Sequence, residues 1–115
     1  MILEERIGDV IVEIINVERA SILEANELKD KLSEAMSDGY KKIIIDLSEC
    51  DFVDSSFLGV LVNSLKKVVK LEGDLKLVGF RPAVRSMFEL TRLFRVFESF
   101  SSLQEAVKSY SHIQK

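Results

Sequence analysis

Ile43-Ile44-Ile45-Asp46-Leu47 leads through Ser48-Glu49-Cys50-Asp51-Phe52 into Val53-Asp54-Ser55-Ser56-Phe57-Leu58-Gly59-Val60-Leu61, and the reading of this stretch decides the fold. The segment Lys41 to Leu47 holds a short, continuous run of β-branched apolar residues. Such a run predicts a strand buried on both faces, in the middle of a sheet. Ser48 to Asp51 is polar and acidic and reads as a loop. From about Ser56 to Leu71 the period changes. Leu58, Leu61, Val62, Leu65, Val68 and Val69 form a helical apolar stripe, with Lys66, Lys67 and Lys70 toward the opposite face. Late-helix cations suit the negative end of the helix dipole.

Upstream, Ile2 to Arg6 and Val10 to Ile15 read as strands joined by the turn signal Gly8-Asp9, a hairpin. Ala25, Leu28, Leu32, Ala35 and Met36 then recur at helical spacing, with Ser21 and Glu24 matching a capping box and Asp38-Gly39 ending the helix. Downstream, Leu75 to Phe80 is a further strand. Pro82 opens a third helix to about Leu90, where its missing N–H has no partner to lose. Leu93 to Phe97 reads as a short edge strand. Ser101 with Gln104 caps a last helix that buries Leu103, Ala106, Val107 and Tyr110. Strands alternating with helices predict an α/β fold: a mixed four- to five-stranded sheet with an N-terminal hairpin, right-handed parallel crossovers and about four helices. With no linker, repeat or low-complexity stretch, residues 1–115 read as one domain.

Composition narrows the function. There are 16 basic and 19 acidic residues, net charge −3, so no basic excess suggests nucleic-acid binding. The apolar runs are short and interrupted by charge, which predicts no membrane span. The first residues lack a signal-peptide pattern, and one cysteine fits a reducing compartment, so the cytoplasm is expected. Cys50 reads as structural. His112, the one histidine, reads as part of a frayed tail, and a single histidine leaves no metal cluster and no base for a serine nucleophile. Asp46, Glu49, Asp51 and Asp54 could gather a hard cation, but read more simply as solvated loop acids, with Asp54 facing the helix N-terminus. No cofactor motif is present.

The chemistry concentrates at Asp54-Ser55-Ser56-Phe57-Leu58-Gly59, where strand gives way to helix. Unpaired N–H groups and a partial positive charge make a helix N-terminus a good seat for a phosphate. Ser55 is either a helix cap or a phosphoacceptor. Phe57, Val60 and Ser64 lie on the flank of the apolar stripe, and Phe57 reads either as part of a small docking surface or as core. Gly59 permits a close backbone approach from a partner or from the sheet.

Val53 to Leu61 resembles the D-S-[ST]-G-L-G segment of STAS-domain anti-sigma factor antagonists, and the likeness extends over most of the chain. Ile43 to Leu47 is similar to the family's preceding strand. Leu75 to Val78, with Pro82-Ala83-Val84 and Phe88 to Phe94, resembles its later strand and helix. The resemblance implies a switch. Ser55 occupies the position phosphorylated by an anti-sigma factor that is a serine kinase. The unphosphorylated form binds that kinase, and a metal-dependent serine/threonine phosphatase resets it. Asp54, Ser56, Phe57 and Val60 are the interface candidates. Two departures stand out. Phe57 replaces the usual glycine, and Val17-Glu18-Arg19-Ala20-Ser21 lacks the common Gly-x-Leu-Asp pattern. The alternative is a non-switching STAS scaffold subunit of a larger complex, stressosome-like or part of a lipid-transport assembly. A small serine hydrolase lacks an evident base.

Overall fold

Residues 1–111 are described in a computed structural model; His112 lies outside them. The chain begins with strands β1 (Ile2–Ile7) and β2 (Val10–Ile15), antiparallel, with Ile7 opposite Val10. Only Gly8 and Asp9 connect them, and Gly8 has φ 62°, the left-handed value that a two-residue hairpin turn demands. A two-residue strand β3 (Arg19–Ala20) precedes helix α1 (Ile22–Ser37). Then follow β4 (Lys42–Asp46), β5 (Phe52–Val53), helix α2 (Ser55–Lys70), β6 (Asp74–Val78), helix α3 (Pro82–Leu90), β7 (Ser99–Phe100) and helix α4 (Leu103–Ser111).

The main sheet has the order β1-β2-β4-β6-β7, parallel except for the first hairpin. This is the mixed α/β sheet with four helices that the sequence predicts. Ile43, Ile44 and Ile45 are fully buried at its centre. Ile43 and Ile45 pack with Leu28, Leu32, Leu61 and Phe88 on the face covered by α1, α2 and α3. Ile44 faces the other way, onto Ala106 and Tyr110 of α4. Side chains alternate across a strand, so a run apolar at every position needs helices on both faces. The Tyr110 hydroxyl fastens α4 to the sheet. It lies 2.8 Å from the carbonyl oxygens of Ile43 and Asp74 and accepts the Ile43 N–H at 3.1 Å. Burial pushes its ionisation well above the usual phenol range.

Several local expectations are corrected. Leu93 to Phe97 is not a strand. Arg92 takes φ 61°, and Leu93–Arg95 then close into a 3-10 turn, so the edge strand forms later, at Ser99–Phe100. Phe97 is buried instead, edge-on to Phe88 at 6.1 Å. At α4 it is the Ser102 hydroxyl, not Ser101, that accepts the Glu105 N–H, at 3.2 Å. Val69 is 54% exposed because it lies beyond the edge of the α2 stripe that meets the sheet. The capping box of α1 has its reciprocal arm as expected: the Glu24 carboxylate accepts from the Ser21 N–H at 2.9 Å and from the Ser21 hydroxyl at 3.0 Å.

Candidate functional site

β3 and β5 form a separate parallel bridge, with Arg19 opposite Phe52 and Ala20 opposite Val53. The Asp54 N–H donates to the Ala20 carbonyl at 3.0 Å, and the Asp51 and Phe52 N–H groups both donate to Glu18. The Arg19 guanidinium lies over the Phe52 ring, 4.4 Å from its centroid. The bridge has a geometric result. α1 starts two residues after Ala20 and α2 two residues after Val53, and both are 16 residues long. The two helices therefore pack side by side with their N-termini aligned, and two helix dipoles present their positive ends at one edge of the molecule.

Asp54 is the N-cap of α2. Its Oδ1 accepts the Phe57 N–H at 2.9 Å. The cap thus falls one residue earlier than a helix starting at Ser56 would place it, and Ser55 is left as the first helical residue, exposed to solvent. Capping does not occupy Ser55. Ser56 and Val60 are half-buried. Phe57 is fully buried in the main core, which corrects its reading as a docking side chain. The physical reason is the partner helix. Phe57, Val60 and Ser64 do share a flank, but that flank turns toward α1. Val60 and Ser64 form one wall of a groove of about 440 Å³ whose other wall is Asn26, Ser33 and Met36 of α1. Lys29, Lys66 and Lys67 stand on this groove as well. α2 carries no acidic residue along its length.

Gly59 is half-buried, with open space where a side chain would stand. A Cβ built there meets nothing within 4 Å. Close packing of helix on sheet therefore does not explain this glycine. Gly79 is the contrast: its φ is 80° and an added Cβ would stand 2.6 Å from Cβ of Ser48, so the fold itself requires that glycine.

The four loop acids do not converge. The Asp46 Oδ1 accepts from the Ser48 N–H at 2.9 Å and the Ser48 hydroxyl at 2.6 Å. Asp51 pairs with Arg81 at 2.8 Å, Glu49 lies 3.8 Å from the same guanidinium, and the Arg81 Nε–H donates to the Ser48 carbonyl at 2.7 Å. Asp54 caps α2. Among the described residues, no three His, Cys, Asp or Glu side chains are grouped as a metal site. Arg81 thus ties the loop before the phosphoacceptor candidate to the start of α3, a role that sequence reasoning missed. Cys50 is buried and its Sγ–H donates to the Ile15 carbonyl at 3.6 Å. Burial pushes its thiol up to about 11, with Arg81 opposing and Asp46 and Asp51 adding to the rise.

Sequence reasoning also missed Ile22 and Leu23. They are 52% and 73% exposed in the first turn of α1, on the same edge as Ser55. Their signal was present: they precede the Ala25-Leu28-Leu32 stripe and fall out of phase with it. An exposed apolar pair therefore shares one edge of the molecule with the exposed Ser55.

Comparison with known proteins identifies the family and matches the fold. The STAS domain family matches residues 5–106. A Thermotoga neapolitana protein provisionally named as an anti-sigma factor antagonist, the TM1081 homolog, is 32% identical over 94 residues, which is 82% of this chain and 80% of that protein. The crystal structure of an anti-sigma factor antagonist from Mycobacterium paratuberculosis superposes with TM-score 0.85 at 26% identity, over 95% of this chain and 92% of the other. SpoIIAA shares the fold in its unphosphorylated form (TM-score 0.76, 17% identity, 97% of this chain and 98% of the other) and in its phosphorylated form (0.77, 19%, 96% and 99%). The chain belongs to the STAS domain family, among the anti-sigma factor antagonists. No helix of the described residues is long and apolar enough to cross a membrane.

Proposed function

We propose that this chain is a switched binding module of a bacterial cytoplasm, in which an unmodified Ser55 lets an anti-sigma factor dock and a phosphorylated Ser55 releases it. The observation that carries the reading is the position of Ser55: exposed, first in α2, and spared the capping role by Asp54. The anti-sigma factor is taken to be a serine kinase acting on Ser55 with ATP, reset by a serine/threonine phosphatase. The chain itself contributes binding and no catalysis.

The electrostatics support such a switch. A phosphate adds about −1.5 to −2 charges at neutral pH. Two aligned helix N-termini soften that charge within the free protein. The same charge at a docking edge must lose its water when a partner covers it, and Asp54 beside it adds a like charge. An unpaired buried charge in an interface costs several kcal/mol, about 2–5 or more. Release then needs no refolding, in keeping with a STAS fold known in both phosphorylated and unphosphorylated forms. Asp54, Ser56 and Val60 remain as interface residues, joined by Ile22, Leu23 and Gly59. Phe57 supports them from below.

The test is incubation with ATP and a kinase of the anti-sigma type, followed by mass spectrometry of the peptide containing Ser55, and titration of both forms against that kinase. The reading requires a phosphate on Ser55 and at least tenfold weaker binding of the modified form. Equal affinity of the two forms would instead fit a constitutive scaffold subunit.

A further inference from the structure

Among the described residues, Glu13 is the one acidic residue sealed in the interior. It lies on β2, directly across from Glu4 on β1, and its side chain has no solvent exposure. Neither of its carboxylate oxygens meets a hydrogen-bond donor. It shares a sheet face with Ile11 and Ile15, under α1. Opposed residues of an antiparallel pair hold their Cβ atoms about 5 Å apart, so two glutamates there are within reach of each other, and like charges so placed repel.

Each element packed around Glu13 bears on its charge. β1 supplies Glu4 and Arg6, and Arg6 is already engaged by Glu4 at 3.5 Å. α1 supplies Lys31, which attracts Glu13 without bonding to it, and two further acids, Glu34 and Asp38, on the shallow notch that Glu4, Arg6 and Lys31 line. β4 supplies Ile45, its apolar register partner. An isolated buried carboxylate is costly enough that such a group takes up a proton instead. Two facing carboxylates are both acceptors, and a single proton turns one of them into a donor.

We propose that Glu4 and Glu13 hold one proton between them at neutral pH, the Glu13 carboxyl donating to the Glu4 carboxylate, and that loss of this proton to solvent loosens the seam between the N-terminal hairpin and α1. Glu4 is only partly covered and is paired with Arg6 at 3.5 Å. Burial first, then Glu4, pushes Glu13 up to about 8, so the proton leaves within the physiological range. The hairpin seam is a pH-responsive element independent of Ser55.

Carbon-13 NMR of glutamate carboxyls in the whole protein tests this. The Glu13 signal is expected to titrate at least about two pH units above an exposed glutamate. A smaller offset overturns the proposal. Amide exchange in β1, β2 and α1 is expected to speed at least tenfold more than intrinsic chemistry requires as pH rises from the ordinary glutamate range to that midpoint and to level off above it, and Glu13→Gln is expected to abolish the excess. Should Glu13→Gln fail to fold, Glu4→Gln serves: removing the facing charge must lower the Glu13 midpoint, and an unmoved midpoint overturns the shared proton.

Discussion

The Asp54 carboxylate and the Phe57 backbone N–H, 2.9 Å apart, set the division of labour at the start of α2. Asp54 satisfies an orphan donor of the first turn, Phe57 is drawn into the core, and Ser55 between them is left facing solvent. Replacing Asp54 by Ala is expected to cost about 1 kcal/mol of stability, the usual worth of an N-cap, and replacement by Asn much less. Urea unfolding of the two variants checks this; equal losses would remove Asp54 from the capping role.

Ser55→Ala is expected to leave stability within about 0.5 kcal/mol, as for an exposed residue free of structural duty. Ser55→Asp is expected to keep the fold and weaken binding to the kinase partner at least tenfold. Thermal melts read the first effect and calorimetric titration the second.

Phe57→Ala is expected to cost about 3–5 kcal/mol, the range for deleting a buried aromatic ring. A docking residue at the surface would show almost no loss in the free protein. Chemical denaturation of the isolated chain therefore separates core from interface at this position.

Gly59→Ala is expected to do the opposite. The added methyl meets nothing, and alanine is better than glycine inside a helix by about 0.5–1 kcal/mol. The variant should melt higher and bind its partner less well. Unchanged affinity would mean that no partner approaches the backbone there.

Cys50 provides a pH-dependent check. Its thiol is raised to about 11 in the folded chain against an ordinary value near 9. The native state thus keeps a proton that the unfolded chain gives up, and stability contributed by the neutral thiol is present below about pH 9 and declines as pH climbs toward 11. A thiol reagent at pH 8 should modify Cys50 only at the rate of unfolding; faster modification would place the sulfur at the surface.

Much of this was legible before any coordinates. Ile43-Ile44-Ile45 announced a central strand because burial on both faces leaves no polar alternation, and Ser21-Glu24 announced α1 because the capping box is a local hydrogen-bond pattern. The place of Ser55 at the start of α2 was legible because a helix N-terminus is defined by neighbours in sequence. What escaped depends on neighbours distant in sequence. The β3–β5 bridge is two residues long, too short for any periodicity, yet it aligns α1 with α2 and so decides that Phe57 faces inward. Arg81 is 30 residues from Asp51. Glu13 looked like one polar position in a β-branched strand; the two-residue turn at Gly8-Asp9 sets Glu4 across from it, but that α1 would seal it from solvent was not local information.

The sheet ends at β1 on one side and at the two-residue β7 on the other. β7 is too brief to template another strand, and β1 lines its margin with Glu4, Glu5 and Arg6, charges of the kind that discourage lateral pairing. Association by backbone addition is thereby closed off on both margins. The helical rim, where Ser55 is exposed, is then the surface left to side-chain recognition.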